Sequence, residues 1–476
     1  SNWDVTCRIM GRALMNGVKK MENVTIFHDV IVTDLLKSGE AVTGALGMDP
    51  YSGQLIQFQA KATVIATGGF APYTLKNTNS DMTGDGLAMA YRAGAKLADL
   101  EFLLFLMTAV EPRNMRGSIL PALCTFRSKF DYDPVDRDGE RIKVPEKLRE
   151  MEATSEMCKL VHMYYFGRTV NAGKGSPSGG IYFDFRRFTD QQIDEMFEAV
   201  MDHFDGFYKH GFYHGESIRE FRDLAKKNRR IEVGLTSEYS VGGIFIDENM
   251  DTGVPGLYAA GEAASGVFGA NRVADAVTEM LVQGYKAGET AARRIMGQPM
   301  PETDGNCVAA AVGVLERLLS NRDGIPVSAA VRELETISDT ALAMVRGEES
   351  LRRGIQSYEA LERKLGQVTL TGKGTRYNRE LMRALEIRNL LTCSKLAARM
   401  ALERRESRGL HLREDCPYID NENWQTRQLA YLADGEDQLI RKPPVVTRVP
   451  PRKPEKVDYE RFILEEDLGM KNMEET

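Results

Sequence analysis

The sequence predicts an α/β fold that carries an inserted α+β domain and a helical C-terminal domain. Three observations lead there. Residues 237–284, SEYSVGGIFIDENMDTGVPGLYAAGEAASGVFGANRVADAVTEMLVQG, run as strand, polar turn, strand, glycine-rich loop and helix, the helix opening near Ala276. Earlier, NVTIFHDVIVTDLL, AVTGALGMD and QLIQFQAKATVIATGG read as strands, the last reaching a glycine turn. Later, VAAAVGVLERLL, VSAAVRELETISDTALAMV and ELMRALEIRNLLTCSKLAARMALERR carry apolar stripes at three- and four-residue steps.

Taken in order, residues 1–20 read as a helix, because Val5, Ile9, Met10, Leu14 and Val18 recur at helical spacing. A helix with a glycine-rich entry follows the early strands at 83–98. From about 100 to 240 the strand–helix rhythm breaks, which marks an insertion, and the chain returns to the first domain from 241 to 297. Residues 298–425 form the helical domain, with methionines serving as core. Residues 426–476 read as an extended arm, since RKPPVVTRVPPRKPEK is rich in proline and basic residues. The first domain then comprises 1–99 and 241–297, and the inserted one 100–240.

Composition narrows the function. A chain of 476 residues with 42% hydrophobic and 28% charged residues can bury cores for two or three domains. Its net charge of −7 disfavours nucleic acid, whose phosphates seek a basic face. No apolar run is long enough to span a bilayer, and no signal peptide is visible. Six cysteines (Cys7, Cys124, Cys158, Cys307, Cys393, Cys416) form no CxxC pair. Their spacing builds no ordinary iron–sulfur or zinc site within the chain, so no metal site is expected, and free thiols suit a reducing cytoplasm.

The glycine-rich loop has its own chemistry. Gly261, Gly266 and Gly269 remove side chains that would keep the backbone away from a planar ligand. A helix start beyond it offers free N–H groups and a positive dipole end. These residues resemble something specific. GGIFID, GLYAAGEAASG, GANR and AVTEMLVQG, with ATVIATGGF (62–70), TGDGLAMAYRAGAKLADLEF (83–102) and ERRESRGLHLREDCP (403–417), resemble ordered segments of the succinate dehydrogenase/fumarate reductase flavoprotein family. The resemblance spans roughly residues 20–430 and implies FAD. It implies a two-dinucleotide-binding-type FAD domain, here partial, because no G-x-G-x-x-G turn that would hold the pyrophosphate occurs near Ser1. That segment is expected on a longer chain or on another polypeptide.

By the same resemblance, Thr67, Gly68, Gly69, Thr83, Gly84, Asp85, Gly86, Gly261, Glu262, Asn271, Ala276 and Val277 lie against the cofactor. Asp85 also reads as a helix cap, and Glu262 as a surface acid. The substrate site departs from the family. Relatives that handle dicarboxylates use a His-Pro-Thr segment, a Thr-Glu pair, a catalytic Arg, a second His and the Arg of GANR. Here Leu106-Met107-Thr108 replaces the first, Cys124-Thr125 falls near the second, and Lys159 near the third. Glu238 stands for the second His, and Arg272 is retained. Arg272, Lys159, Arg127 and Glu238 are the catalytic candidates, while Arg408 and His411 are possible compensating anchors. Arg127 also reads as a surface salt-bridge partner and Lys159 as a solvated helix residue.

Succinate wants bidentate, charge-assisted donors on each carboxylate. Leu106 supplies none, and Glu238 repels an anion. The resemblance therefore implies hydride transfer between flavin and the carbon of a substrate other than succinate or fumarate. An iron–sulfur subunit would carry electrons, and partner subunits could bring a cytoplasmic protein to a membrane. Two alternatives stay open: fumarate reduction through a rearranged site, and a non-catalytic flavin relay or assembly subunit.

Overall fold

The computed structural model describes residues 3–73, 81–117, 133–149, 156–203, 215–266, 269–271, 276–446 and 453–465. The chain divides into two compact units, one of residues 1–28, 105–236 and 463–476, the other of 29–104 and 237–462. Residues 1–28 therefore group with the insertion, whereas the sequence reading placed them in a first domain of 1–99. Helical periodicity locates an element but does not say what it packs on.

The larger unit opens with an antiparallel sheet of Ile31–Ser38, Ala41–Met48 and Leu55–Gln59. Leu36 and Leu46 are buried against Ala311 of helix Gly305–Ser320, with Cys307, Val308 and Val312 beside them. Asp304 caps that helix by accepting from Asn306 N at 2.8 Å, satisfying a donor that the helix itself cannot. Next come two short parallel strands, Thr63–Ile65 and Leu257–Ala259, in the register Leu257↔Thr63 to Ala259↔Ile65. The helix expected over 83–98 spans Asp85–Ala93, ends at Gly94 and is followed by strand Leu97–Ala98.

Three further helices, Val327–Ala341, Glu348–Leu365 and Arg379–Glu403, form the helical region. The third buries residues around most of its circumference, from Leu381 to Ala401, which makes it a central helix rather than a surface one. Asn378 caps it through Leu381 N at 3.0 Å. The expected arm from 426 instead begins as a β-hairpin. Arg427–Ala433 pairs with Glu436–Lys442 around Asp434-Gly435, both at positive φ, and the hairpin extends a four-stranded sheet with Leu97–Ala98 and Gly243–Ile244. An Asp-Gly turn between alternating residues is a hairpin signal that the neighbouring prolines masked. Lys456–Asp458 also pairs as a strand, with Tyr418–Asp420.

In the other unit, helix Trp3–Val18 is present as expected from its periodicity. Ile181–Asp184 joins Asp133–Val135 and Arg230–Ser240 in a four-stranded sheet completed by Leu103–Ala109. Helices Asp190–His203 and Gly215–Asn228 pack through Phe197 and Phe221, whose ring centroids are 5.7 Å apart. Leu106 is buried in strand Leu103–Ala109, and the neighbouring Thr108 hydroxyl accepts from Thr236 Oγ1 at 3.1 Å.

Candidate cofactor site

The parallel pair sets the site. Both strands point the same way, so their carboxyl ends open together, into Thr67-Gly68-Gly69 and Gly261-Glu262. Such an opening is the usual ligand-binding end of parallel strands. Thr63 N donates to Gly256 O at 2.8 Å and Ala260 N to Ile65 O at 2.9 Å, fixing the two ends side by side.

A third segment is zipped onto them. Ala71 N donates to Met82 O at 2.9 Å and Gly84 N to Gly69 O at 3.2 Å, bringing Thr83–Gly86 against Thr67–Gly69. Gly84 has φ 68°, left-handed backbone that favours glycine, and this turn sets the direction of helix Asp85–Ala93. Asp85 begins the helix. Its Oδ2 accepts from Thr83 Oγ1 at 2.7 Å, and its Oδ1 accepts from Asn389 Nδ2 at 2.6 Å. Each carboxylate oxygen keeps a further lone pair for a ligand hydroxyl.

Glu262 lies across from this turn. Its Oε1 accepts from Ser240 N at 3.0 Å and would be 2.8 Å from a β-carbon built on Gly69. Helix Ala276–Ile295 is tied to the same place, because Gln283 Oε1 accepts from Gly261 N at 2.8 Å and Gln283 Nε2 donates to Glu279 Oε1 at 3.1 Å. Ala276 and Val277 open that helix, half-buried. Asn271 ends the short 3-10 turn Gly269–Asn271.

The residues thus gathered fit a flavin nucleotide. A β-carbon on Gly68 would meet no heavy atom within 4 Å, so bare backbone faces open space there. The buried hydroxyl of Ser240, beside Gly69, has no hydrogen-bond partner among the described residues, an arrangement that a polar ligand would relieve. Asp85 and Glu262 are acceptors suited to sugar and ribityl hydroxyls. Gln283, Ser240 and Asn389 were not singled out from sequence. The polar pair Glu279 and Gln283, four residues apart and so on one face of the helix, is the signal that could have found Gln283.

That helix is also inverted. It buries Glu279, Gln283, Ala287, Thr290 and Ala291, yet leaves Met280, Leu281, Val282 and Tyr285 exposed, Tyr285 at 74%. A surface helix of a soluble protein ordinarily does the reverse.

The candidate anchors at Arg408 and His411 are committed elsewhere. Arg408 donates to both Glu406 oxygens, at 2.8 and 3.0 Å, and to Asn421 Oδ1 at 2.9 Å. His411 is fully buried, with Nδ1 3.1 Å from Arg346 Nη1 and Nε2 3.2 Å from Arg404 O. A guanidinium only donates and a carbonyl only accepts, so His411 is the neutral Nε2–H tautomer. Burial first, then the Arg346, Arg404 and Arg413 charges, push its pKa well below the ordinary value. His411 is therefore not free for a substrate carboxylate, which corrects the expectation that it compensates for a missing anchor, while Arg408 is held through its Nε and Nη2. Both lie within a buried ionic cluster in which Arg404 bridges Glu101 at 2.7 Å and Glu406 at 3.0 Å.

Arg272 and Arg127 lie outside the described residues, as does the Lys159 side chain, whose backbone belongs to helix Glu156–Thr169. Glu238 is half-buried on strand Arg230–Ser240. Among the described residues, no three His, Cys, Asp or Glu side chains are grouped to hold a metal, and no helix is long and apolar enough to cross a membrane.

Comparison with known proteins agrees with this geometry. Residues 3–275 match the FAD binding domain family, and residues 331–459 match the fumarate reductase flavoprotein C-terminal family. A fumarate reductase (CoM/CoB) subunit from Methanothermobacter marburgensis is 31% identical over 422 residues, 87% of this chain and 72% of the relative. The Escherichia coli fumarate reductase flavoprotein subunit is 29% identical, covering 90% and 71%. Among solved structures, Mycobacterium smegmatis Sdh1 in complex with UQ1 superposes with a TM-score of 0.76 at 27% identity, covering 91% and 69%. The chain belongs to the succinate dehydrogenase/fumarate reductase family of flavoprotein subunits and is an FAD-dependent oxidoreductase.

Proposed function

We propose that this flavoprotein moves a hydride between FAD and a carbon of a substrate less anionic than succinate or fumarate, exchanging electrons with an iron–sulfur partner. FAD supplies the two-electron centre. Thr67–Gly69 and Thr83–Gly86 would lie along it, Asp85 and Glu262 would hold its hydroxyls, and the start of helix Ala276–Ile295 would favour negative charge at the ring edge. Arg272, Lys159 and Arg127 are the proposed proton donors, and Glu238 the residue that sets charge preference.

The observation that carries the substrate reading is the fate of the anchors. Leu106 is apolar and buried where a carboxylate-binding His is expected, and Arg408 and His411 are bound within the protein. Losing two charged hydrogen bonds at about 1.5–3 kcal/mol each weakens transition-state binding by about two to four orders of magnitude. The test is reoxidation of the reduced flavin. Fumarate reoxidation at a rate comparable with other family members would overturn the reading; a slow response, with fast reaction of a less anionic substrate, is expected.

A second reading, fumarate reduction through a rearranged site, is favoured by the names of the relatives. The same titration separates the two. The iron–sulfur partner reading rests on the unclustered cysteines. The apolar outer face of helix Ala276–Ile295 suits instead a glycine-rich strand–helix element holding the FAD pyrophosphate, from this polypeptide or another. A cytoplasmic site, with membrane association through partners, belongs to this proposal. Full turnover by the isolated flavoprotein, without any iron-containing polypeptide, would contradict the iron–sulfur partner.

A further inference from the structure

The geometry points to Asn389 as the positioning residue of the cofactor carboxylate, holding Asp85 in place from the central helix of the helical region. Asn389 is 4% exposed and lies 304 residues from Asp85. Its amide nitrogen donates to Asp85 Oδ1 at 2.6 Å while its carbonyl accepts from Arg92 Nη1 at 2.8 Å. The orientation of the amide is fixed, because a carboxylate accepts and a guanidinium only donates. Asp85 and Arg92 open and close the same helix, Asp85–Ala93, so one side chain spans both ends. Arg92 is held in turn by Asp34 Oδ1 at 3.4 Å.

One helical turn beyond Asn389, Cys393 presses on the same loop. Its Sγ lies 3.7 Å from Gly84 O and would be 2.9 Å from a β-carbon at Gly84. Residues i and i+4 share a helix face, so Asn389 and Cys393 form a two-point clamp on the Thr83–Gly86 turn. The charged and titratable groups around the clamp are Asp85, Arg92, Asp34, Arg388 and Cys393. Without the amide, Asp85 keeps only Thr83 and is free to leave the rotamer in which its remaining lone pairs face the ligand. Positioning within about half an ångström is what such second contacts supply.

The inference rests on the proposed role of Asp85 toward FAD, and the experiment separates the two. Prepare holoenzyme with Asn389→Leu, Asp85→Asn and both changes. Measure FAD retained after gel filtration, the flavin midpoint potential, and amide exchange of residues 83–86 with and without FAD. Asn389→Leu is expected to cut retained FAD at least fivefold or shift the potential, and to speed exchange of 83–86 even without FAD. In the Asp85→Asn background the added effect of Asn389→Leu on FAD should fall below twofold, which a purely structural role would not produce. Asn389→Gln, which keeps the carboxamide, should recover part of the loss and serves if Asn389→Leu does not fold. If Asp85→Asn alone leaves FAD unchanged, the role of Asp85 fails. If Asp85→Asn weakens FAD but Asn389→Leu does not, or the two effects simply multiply, the positioning role of Asn389 is overturned.

Discussion

Gly86 makes the sharpest test of how the cofactor turn is built. A methyl group added there would lie 2.5 Å from Ile65 Cγ2 and closer still to Thr67 Oγ1. Carbon atoms pack at about 3.5–4.0 Å, so strand end and helix start must part by about 1 Å. Forcing extra volume into a packed site costs about 1–3 kcal/mol, whereas Gly→Ala inside a helix gains about 1 kcal/mol. The clash should win or come out near even, and the displacement falls on Thr67 and Asp85, the residues proposed to meet FAD. A control isolates the helix contribution: Gly11 sits within helix Trp3–Val18, exposed, with no heavy atom within 4 Å of an added β-carbon. Gly11→Ala should therefore stabilise by about 1 kcal/mol. Urea unfolding of both variants, together with flavin content from visible absorbance, decides the matter. A Gly86→Ala protein as stabilised as Gly11→Ala, with full flavin, would refute the packing argument.

Other outcomes follow from buried charge. Arg404→Met leaves the fully buried Glu101 without its guanidinium and should cost about 3–5 kcal/mol in urea unfolding, with much of that recovered when Glu101→Gln is added. His411 stays neutral when folded, whereas the unfolded chain takes up a proton below about pH 6.5. The unfolded state then binds more protons, so stability should fall as pH drops below that value, by at most about 1.4 kcal/mol per pH unit. His411→Gln should remove that component of the slope between pH 7.5 and 5.5; an identical slope would show that His411 is already protonated in the folded protein. Glu238→Gln should alter turnover or substrate affinity without changing flavin content, and unchanged kinetics across several pH values would make Glu238 a bystander.

The sequence by itself determined the family and the turns of the cofactor site. Those features are local: glycines at strand ends, an acid opening a helix, apolar residues at strand and helix spacing all lie within contiguous blocks such as 62–70 and 83–102. The Asp434-Gly435 hairpin was equally local, and was missed because nearby prolines dominated the reading. Only the tertiary structure decided which distant groups meet. Nothing near Asp85 in sequence announces Asn389, and nothing near Glu101 announces Arg404, 303 residues away. His411 looked like a substrate ligand in its motif and proved to be a neutral wedge between Arg346 and the Arg404 carbonyl. Residue type states what a side chain is able to bind. Burial and packing, which bring chain-distant segments into hydrogen-bonding range, select the partner it does bind.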